Sequence, residues 1–464
     1  MKGRTEQESS DHRKDIHAAH AGRRGGDESL PGGKHGAIQE ESMMERVVAP
    51  ENLEAAWQRV KANAGAPGVD GMTVAAFPAF CREHWPRLRA QLMEGTYRPA
   101  PVRRVLIPKP DGTERPLGVP TVLDRMIQQA LAQVLNPLFE GGFSEHSYGF
   151  RANRNAHQAV REVEASWQEG RRHAVDCDLK SFFDTVPHDR LMRQVREKVR
   201  DRKVLGLIRC YLQAGVVVPD GRREATPLGV PQGGPLSPLL ANIALDPLDK
   251  ELERRGHRFA RYADDFLVMV RSAKAAERVM ASLVRFVEGK LQLVVNRVKS
   301  RSAPLRQCAF LGFQIGARGR VVWTDKAYAR FKQRVREITR RNRGHRVQDV
   351  IDELGRFVTG WLNYFSLSHT YSAMMELDEW VRRRVRLYYW KSWKQPRTRR
   401  RQLIALGISP EEVKLASRSR KGYWRMSSNS LLQRALNNRW LHEQGVPDMR
   451  TLWITLHYGP NARI

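Results

Sequence analysis

Arg261-Tyr262-Ala263-Asp264-Asp265-Phe266-Leu267-Val268 sets two adjacent carboxylates between strand-like apolar runs, and how they are held decides the fold. Neighbouring residues of one strand point to opposite faces, which would bury one of the two charges. A tight turn between two strands keeps both near one solvent-accessible point. Two like charges held that close repel each other unless a cation lies between them. Taken alone, an Asp-Asp pair also suits an ordinary loop or a helix cap.

A second fragment alters that balance. Asp176-Cys177-Asp178-Leu179-Lys180-Ser181-Phe182-Phe183-Asp184 ends a strand with several carboxylates and then turns. Two-metal phosphoryl transfer needs two or three carboxylates converging from separate strands to hold ions roughly 3.5–4 Å apart. Mg²⁺ suits such a site, since it takes hard oxygen ligands and keeps positions open for substrate phosphates. Spacing alone does not say which of Asp176, Asp178 and Asp184 would join Asp264 and Asp265.

Around these fragments, from about Tyr97 to Ser300, strand-like runs alternate with helical stretches, an α+β pattern. Val102 to Pro108, Ala174 to Leu179 and Arg261 to Val270 read as strands, with a turn at Pro110-Asp111-Gly112. Asp124 to Phe139 reads as a helix with Met126, Ile127, Ala130, Leu131, Val134 and Leu135 on one face. Upstream, Leu53, Ala56, Trp57 and Val60 recur at helical spacing until Gly65 to Gly71 interrupts them. Residues 1–44 are rich in Gly, Ser, His and mixed charge and read as a disordered leader.

No apolar stretch approaches membrane-spanning length, and no apolar segment follows the N-terminal Met1-Lys2-Gly3-Arg4. Cys81, Cys177, Cys210 and Cys308 stand far apart, which argues against a disulfide framework or zinc knuckle and for a reducing cytoplasm. Charge is the strongest compositional signal: 80 Lys plus Arg against 50 Asp plus Glu, a formal +30. From Lys326 onward 29 basic residues face 11 acidic ones, so +18 of the excess sits in the last third. Such a concentrated basic field points to a polyanionic partner.

That last third reads as basic helices. Leu354, Phe357, Val358, Trp361, Leu362 and Phe365 form one apolar stripe, and Leu377, Val381, Val385 and Tyr388 a second. Both stripes suit a bundle core, leaving Arg382, Arg383, Arg384 and Arg386 as candidates for nucleic-acid contact. Lys391, Lys394, Arg399, Arg400 and Arg401 interleave with aromatics from Tyr388 to Trp393, a mixture suited to backbone contact and base stacking.

The two acidic fragments together resemble the reverse transcriptases. Tyr262-Ala263-Asp264-Asp265 is similar to that family's YxDD box, and Asp178 through Asp184 to its first palm motif, D-x-x-x-x-F-D. The resemblance assigns the catalytic and metal-binding role to Asp178, Asp264 and Asp265, with two Mg²⁺ ions, and leaves Asp176 and Asp184 as neighbours. It makes Phe183 a steric gate whose ring excludes a ribonucleotide 2′-hydroxyl; without the motif Phe183 reads as a core aromatic. Ile107 to Gly112 with Arg115 to Gly118 resembles the fingers loop, in which Lys109 and Arg115 would clamp an incoming deoxynucleoside triphosphate. Pro231 to Pro238 resembles the block where Gln232 meets the nucleotide, its glycines letting backbone approach the substrate. Asn296 through Lys299 fits the next block, with Lys299 a candidate acid toward pyrophosphate. Phe310-Leu311-Gly312-Phe313 is similar to the primer-grip strand.

Within that family the chain most resembles group II intron-encoded reverse transcriptases and maturases. Gly68 to Thr73, Phe143 to Arg151 and Gly360 to Phe365 are similar to their extra N-terminal block, fingers motif and maturase or thumb domain. Ser419-Arg420-Lys421-Gly422-Tyr423-Trp424-Arg425 resembles the short DNA-binding C-terminal region of the bacterial class C lineage, which lacks an endonuclease domain and primes on existing strands. The implied architecture is a right-hand polymerase: fingers and palm over 45–324, a helical thumb or maturase domain over 325–395, and a basic C-terminal region over 396–464. The implied function is RNA-directed DNA synthesis joined to splicing assistance, with the intron RNA, a DNA target and a primer strand as partners. Two other readings stand beside it: a domesticated or defence-associated reverse transcriptase without an intron, which would keep every palm motif, and an RNA-binding splicing factor with a dispensable polymerase, which would be expected to lose a ligand or the gate, whereas Asp178, Asp264, Asp265, Phe183 and Gln232 are all present. An RNA-dependent RNA polymerase is disfavoured by Phe183.

Overall fold

The computed structural model describes residues 42–108, 112, 114–340 and 344–459. Lys109 and nearly all of the leader lie outside these residues. Order begins inside the stretch expected to be disordered. Ser42 caps the short helix Met43–Val47 by a reciprocal box with Glu45. Met44 is fully buried, and its N–H donates to Asp201, so tertiary contact overrides a polar local sequence.

Ten strands are described: β1 Val102–Pro108, β2 Glu114–Val119, β3 His173–Cys177, β4 Val216–Val217, β5 Arg223–Glu224, β6 Arg258–Tyr262, β7 Asp265–Val270, β8 Arg301–Pro304, β9 Phe313–Ile315 and β10 Val321–Trp323. One four-stranded sheet has the order β2-β1-β4-β5 and carries the fingers hairpin, with Val105 opposite Leu117. The palm sheet has the order β6-β7-β3-β8 and is antiparallel throughout.

Alternation along the palm strands explains why both sheet faces are covered. Phe266, Val268 and Val270 of β7 join Val175 and Cys177 of β3 in the larger core, toward the helix Ala273–Phe286. Leu267 and Met269 join Ala174 and Ala260 in a second core against the helix Ala156–Gln168. The expected helix near Asp124 runs Val122–Glu140, capped by Thr121 Oγ1, which accepts from the Asp124 N–H.

Beyond β10 the chain is helical. Asp325–Ile338, Val347–Phe365 and Tyr371–Ser392 pack by the two stripes read above, with Leu354, Val358, Leu362, Leu377, Val381 and Val385 buried. The same core continues through Leu403, Val413, Met426, Leu432, Leu441 and Trp453. The division expected at 395/396, drawn from the resemblance, does not interrupt this core. Among the described residues no helix is long and apolar enough to cross a membrane.

Candidate active site

The segment read as one strand from Arg261 to Val270 is a hairpin. Tyr262 of β6 pairs with Asp265 of β7, leaving Ala263 and Asp264 as a two-residue turn, with Ala263 at φ +59°. Cys177, the last residue of β3, lies opposite Phe266 of β7, so Asp178 emerges beside Asp265 at the same end of the sheet. Three carboxylates from two separated segments thus meet because the register of three strands brings them there.

Their charges act on one another. Asp265 is solvent-exposed at its own surface, yet the protein packed around it and the Asp176, Asp264 and Asp178 carboxylates push its pKa up to about 7. Asp264 is half-buried and also raised, first by burial and then by Asp178, while Arg115 on β2 pulls it the other way. Among the described residues no group of three or more His, Cys, Asp or Glu side chains is by itself placed to hold a metal ion. Even so, Asp178, Asp264 and Asp265 are hard-oxygen donors that repel one another, which suits a divalent ion that draws its remaining ligands from water and substrate.

What separates Asp178 from Asp176 is its partner. Asp176 lies 3.5 Å from the Arg301 guanidinium on β8. Asp178 Oδ1 accepts instead from the neutral amide of Asn296 at 3.0 Å, and its carbonyl accepts from the Asn296 N–H at 2.8 Å. Ser300 Oγ accepts from the Asp178 N–H at 3.0 Å. The turn carrying Lys299 is thereby stitched to Asp178, since Asn296 Oδ1 also accepts from the Val298 and Lys299 N–H groups. Sequence reasoning placed Asn296 in a block but gave it no task; only the Asx-turn preference of Asn pointed to it.

Phe183 sits half-buried on the one-turn helix Phe182–Thr185 and packs edge-on against Phe182. Its carbonyl accepts from the Val230 N–H at 2.6 Å, which draws in the following block. Phe183, Asp184, Arg104, Leu117, Gly118 and Gln232 line an open cavity of about 560 Å³. The glycines here serve a different neighbour from the one expected. The Gly118 N–H donates to the Gln232 carbonyl at 2.7 Å, and a Cβ on Gly233 would lie 2.4 Å from the Gly118 oxygen. Gly233 at φ +116° thus lets two backbones meet, the nucleotide block against the fingers. Arg115 and Lys299 are exposed. Phe310 to Phe313 forms a tight turn rather than a strand, closed by reciprocal bonds between Phe310 and Phe313.

Several arginines expected to meet nucleic acid are held inside the fold. Arg382 pairs with Asp378 at 2.6 Å and Asp448 at 3.3 Å. Arg386 is buried and donates to the Leu436 carbonyl and Asn438. Arg399 is buried over the Trp390 ring and donates to the Trp393 carbonyl. Arg383 stacks 3.8 Å from the Trp424 ring centre, and Arg384 donates to Thr339 Oγ1. Helical spacing showed the charges without the acceptors that remote segments bring to them. Lys391 is half-buried near Tyr423, whereas Lys394, Arg400, Arg401, Arg420 and Lys421 are exposed, beside the half-exposed rings of Tyr423 and Trp424.

Carboxylates at one end of an antiparallel palm sheet, fed by a fingers hairpin and followed by a helical thumb, define a polymerase of the reverse-transcriptase class. Residues 107–315 match the reverse transcriptase (RNA-dependent DNA polymerase) family, and residues 328–405 the group II intron maturase-specific domain. Protein YkfC of Escherichia coli K12 is 33% identical over 305 residues, which span 57% of this chain and 80% of YkfC. The group II intron-encoded protein LtrA of Lactococcus lactis subsp. cremoris is 29% identical over 338 residues, 59% of this chain and 56% of LtrA. The chain belongs to the family of group II intron-encoded reverse transcriptases and maturases. It is accordingly an RNA-directed DNA polymerase that depends on divalent metal. A chain of the partial Cas6-RT-Cas1--Cas2 complex is 23% identical over 55% of this chain and 44% of that one, at a TM-score of 0.36, too loose a likeness to bear on function.

Proposed function

We propose that this chain extends a DNA primer on an RNA template with two Mg²⁺ ions held by Asp178, Asp264 and Asp265, and that it acts as maturase on the group II intron RNA that encodes it. The observation that carries the reading is the meeting of Asp178 with the Asp264-Asp265 turn at one end of the β3–β7 pair. Bound divalent ions would polarise the phosphoryl oxygen and lower the pKa of the attacking hydroxyl. Asn296 holds the Asp178 carboxylate in one orientation. Arg115, with Lys109 in the same loop, would bind the triphosphate, and Lys299 would donate a proton toward pyrophosphate. Gln232 and the Phe183 ring would bound the sugar, the ring leaving no room for a 2′-hydroxyl. The bacterial relatives support a bacterial cytoplasm as its setting.

Primer extension on an RNA template, with deoxynucleotides or ribonucleotides, tests this directly. Wild type should incorporate deoxynucleotides, and Phe183→Ala should raise the relative use of ribonucleotides by roughly 10²-fold through relief of one steric clash. Unchanged discrimination would remove Phe183 from the gate.

For the partner RNA and the DNA target, the exposed cations Lys394, Arg400, Arg401, Arg420 and Lys421 are the ones left to meet phosphate. Arg400→Ala with Arg401→Ala should weaken intron RNA binding at every site alike and flatten its salt slope by about 2, with the melting temperature unchanged. Arg386→Ala should do the opposite, costing about 1–3 kcal/mol of stability by orphaning buried acceptors. Filter binding across a salt series and thermal melts separate the two. A salt slope changed only by Arg386→Ala would reverse the assignment.

A further inference from the structure

Arg261, immediately before the catalytic turn, is completely buried. A guanidinium carries five N–H donors in a fixed fork. All five are used here. Nε donates to Asp249 Oδ1 at 2.7 Å, and Nη2 to Asp249 Oδ2 at 2.5 Å and Ser147 Oγ at 2.7 Å. Nη1 donates to Asn242 Oδ1 at 3.0 Å and to the carbonyl of Ala263 at 2.9 Å. That carbonyl belongs to the peptide leading into Asp264.

The same turn is backed by main chain. The Arg261 N–H donates to the His146 carbonyl, and the Arg261 carbonyl accepts from the Tyr148 N–H. The Asn242 amide donates to the Gly149 carbonyl at 2.9 Å. A Cβ on Gly149 would lie 2.4 Å from the Ala263 nitrogen, so only glycine lets this loop lie flush against the turn. Ala263 meanwhile holds φ +59°, which an alanine keeps only where its surroundings demand it.

We propose that Arg261, with Gly149 as backing, is the positioning device of the active site: it fixes the peptide between Ala263 and Asp264 and so aims both carboxylates of the turn. Residues from three motifs, Ser147 and Gly149, Asn242 and Asp249, and Arg261 itself, form one buried unit whose output is the geometry of Asp264 and Asp265. The inference rests on the reading of those aspartates as the metal-binding pair.

Two variants disturb the brace from opposite sides. Arg261→Lys keeps the charge opposite Asp249 but cannot reproduce the fork. Gly149→Ala leaves the ion pair intact and presses on Ala263. Each should lower kcat in primer extension by about 10- to 100-fold, as a small misplacement of a reacting group does, with the nucleotide KM nearly unchanged. Each should also weaken Mn²⁺ binding, followed by electron paramagnetic resonance without nucleic acid, and speed amide exchange at Asp264 and Asp265. A folded variant of either kind with wild-type kcat, Mn²⁺ affinity and exchange overturns the proposal. Asp264→Ala run alongside separates the two levels. If it still makes DNA, the site reading fails. If it alone is inactive while both brace variants match wild type, the brace fails and the site stands.

Discussion

Asp264→Ala is expected to abolish DNA synthesis, by roughly 10³-fold or more, since several kcal/mol of transition-state stabilisation depend on a correctly held ion. The side chain sits in a two-residue turn at the edge of the palm sheet, where its charge and that of Asp178 oppose each other. Removing one member of a repelling group does not weaken the fold, so the melting temperature without divalent ion should stay level or rise. The stabilisation gained on adding Mg²⁺ should shrink in the same variant. Primer extension and melts with and without Mg²⁺ check both parts. Undiminished extension would end the metal-site assignment.

Asp249→Ala carries the largest expected effect on stability. Arg261 has no exposed surface, and among the described residues Asp249 is its only anionic partner, gripped through both oxygens. Breaking a buried pair by deleting one member leaves a charge without compensation, at a cost of about 3–5 kcal/mol. Asp249→Asn, which keeps one acceptor, should fall between. Urea denaturation resolves the three proteins. A loss no greater than that of an exposed pair such as Arg439 with Glu443 would mean that the buried ion pair does not hold the palm.

The fold class was legible because its signals are local. Alternation in β7, helical spacing around Leu131 and the stripes from Leu354 to Phe365 each follow from neighbours in sequence. The hairpin at Ala263-Asp264 was only half legible: charge offered a turn between two strands as one option, while the apolar runs on either side read as one strand from Arg261 to Val270. The choice of Asp178 over Asp176 was not legible from spacing. The partners that distinguish the two, Arg301 for Asp176 and Asn296 for Asp178, arrive from a segment that meets β3 only in the fold. The partners that hold Arg382 and Arg386 were hidden for a related reason: Asp448 and the Leu436 carbonyl are tertiary partners that no short window of sequence displays. The boundary at 395/396 came with the resemblance, whereas packing follows Leu403, Val413 and Trp453 into the same core as Leu354.

That shared core has a mechanical consequence. The helix Tyr371–Ser392 and the short helices after it are pinned to one another by Arg386 and by the Arg382–Asp448 pair. The exposed cations at Arg400, Arg401, Arg420 and Lys421 are therefore mounted on the thumb as on a single lever. In the proposed reading, any movement of these helices on a bound nucleic acid would carry those cations with it.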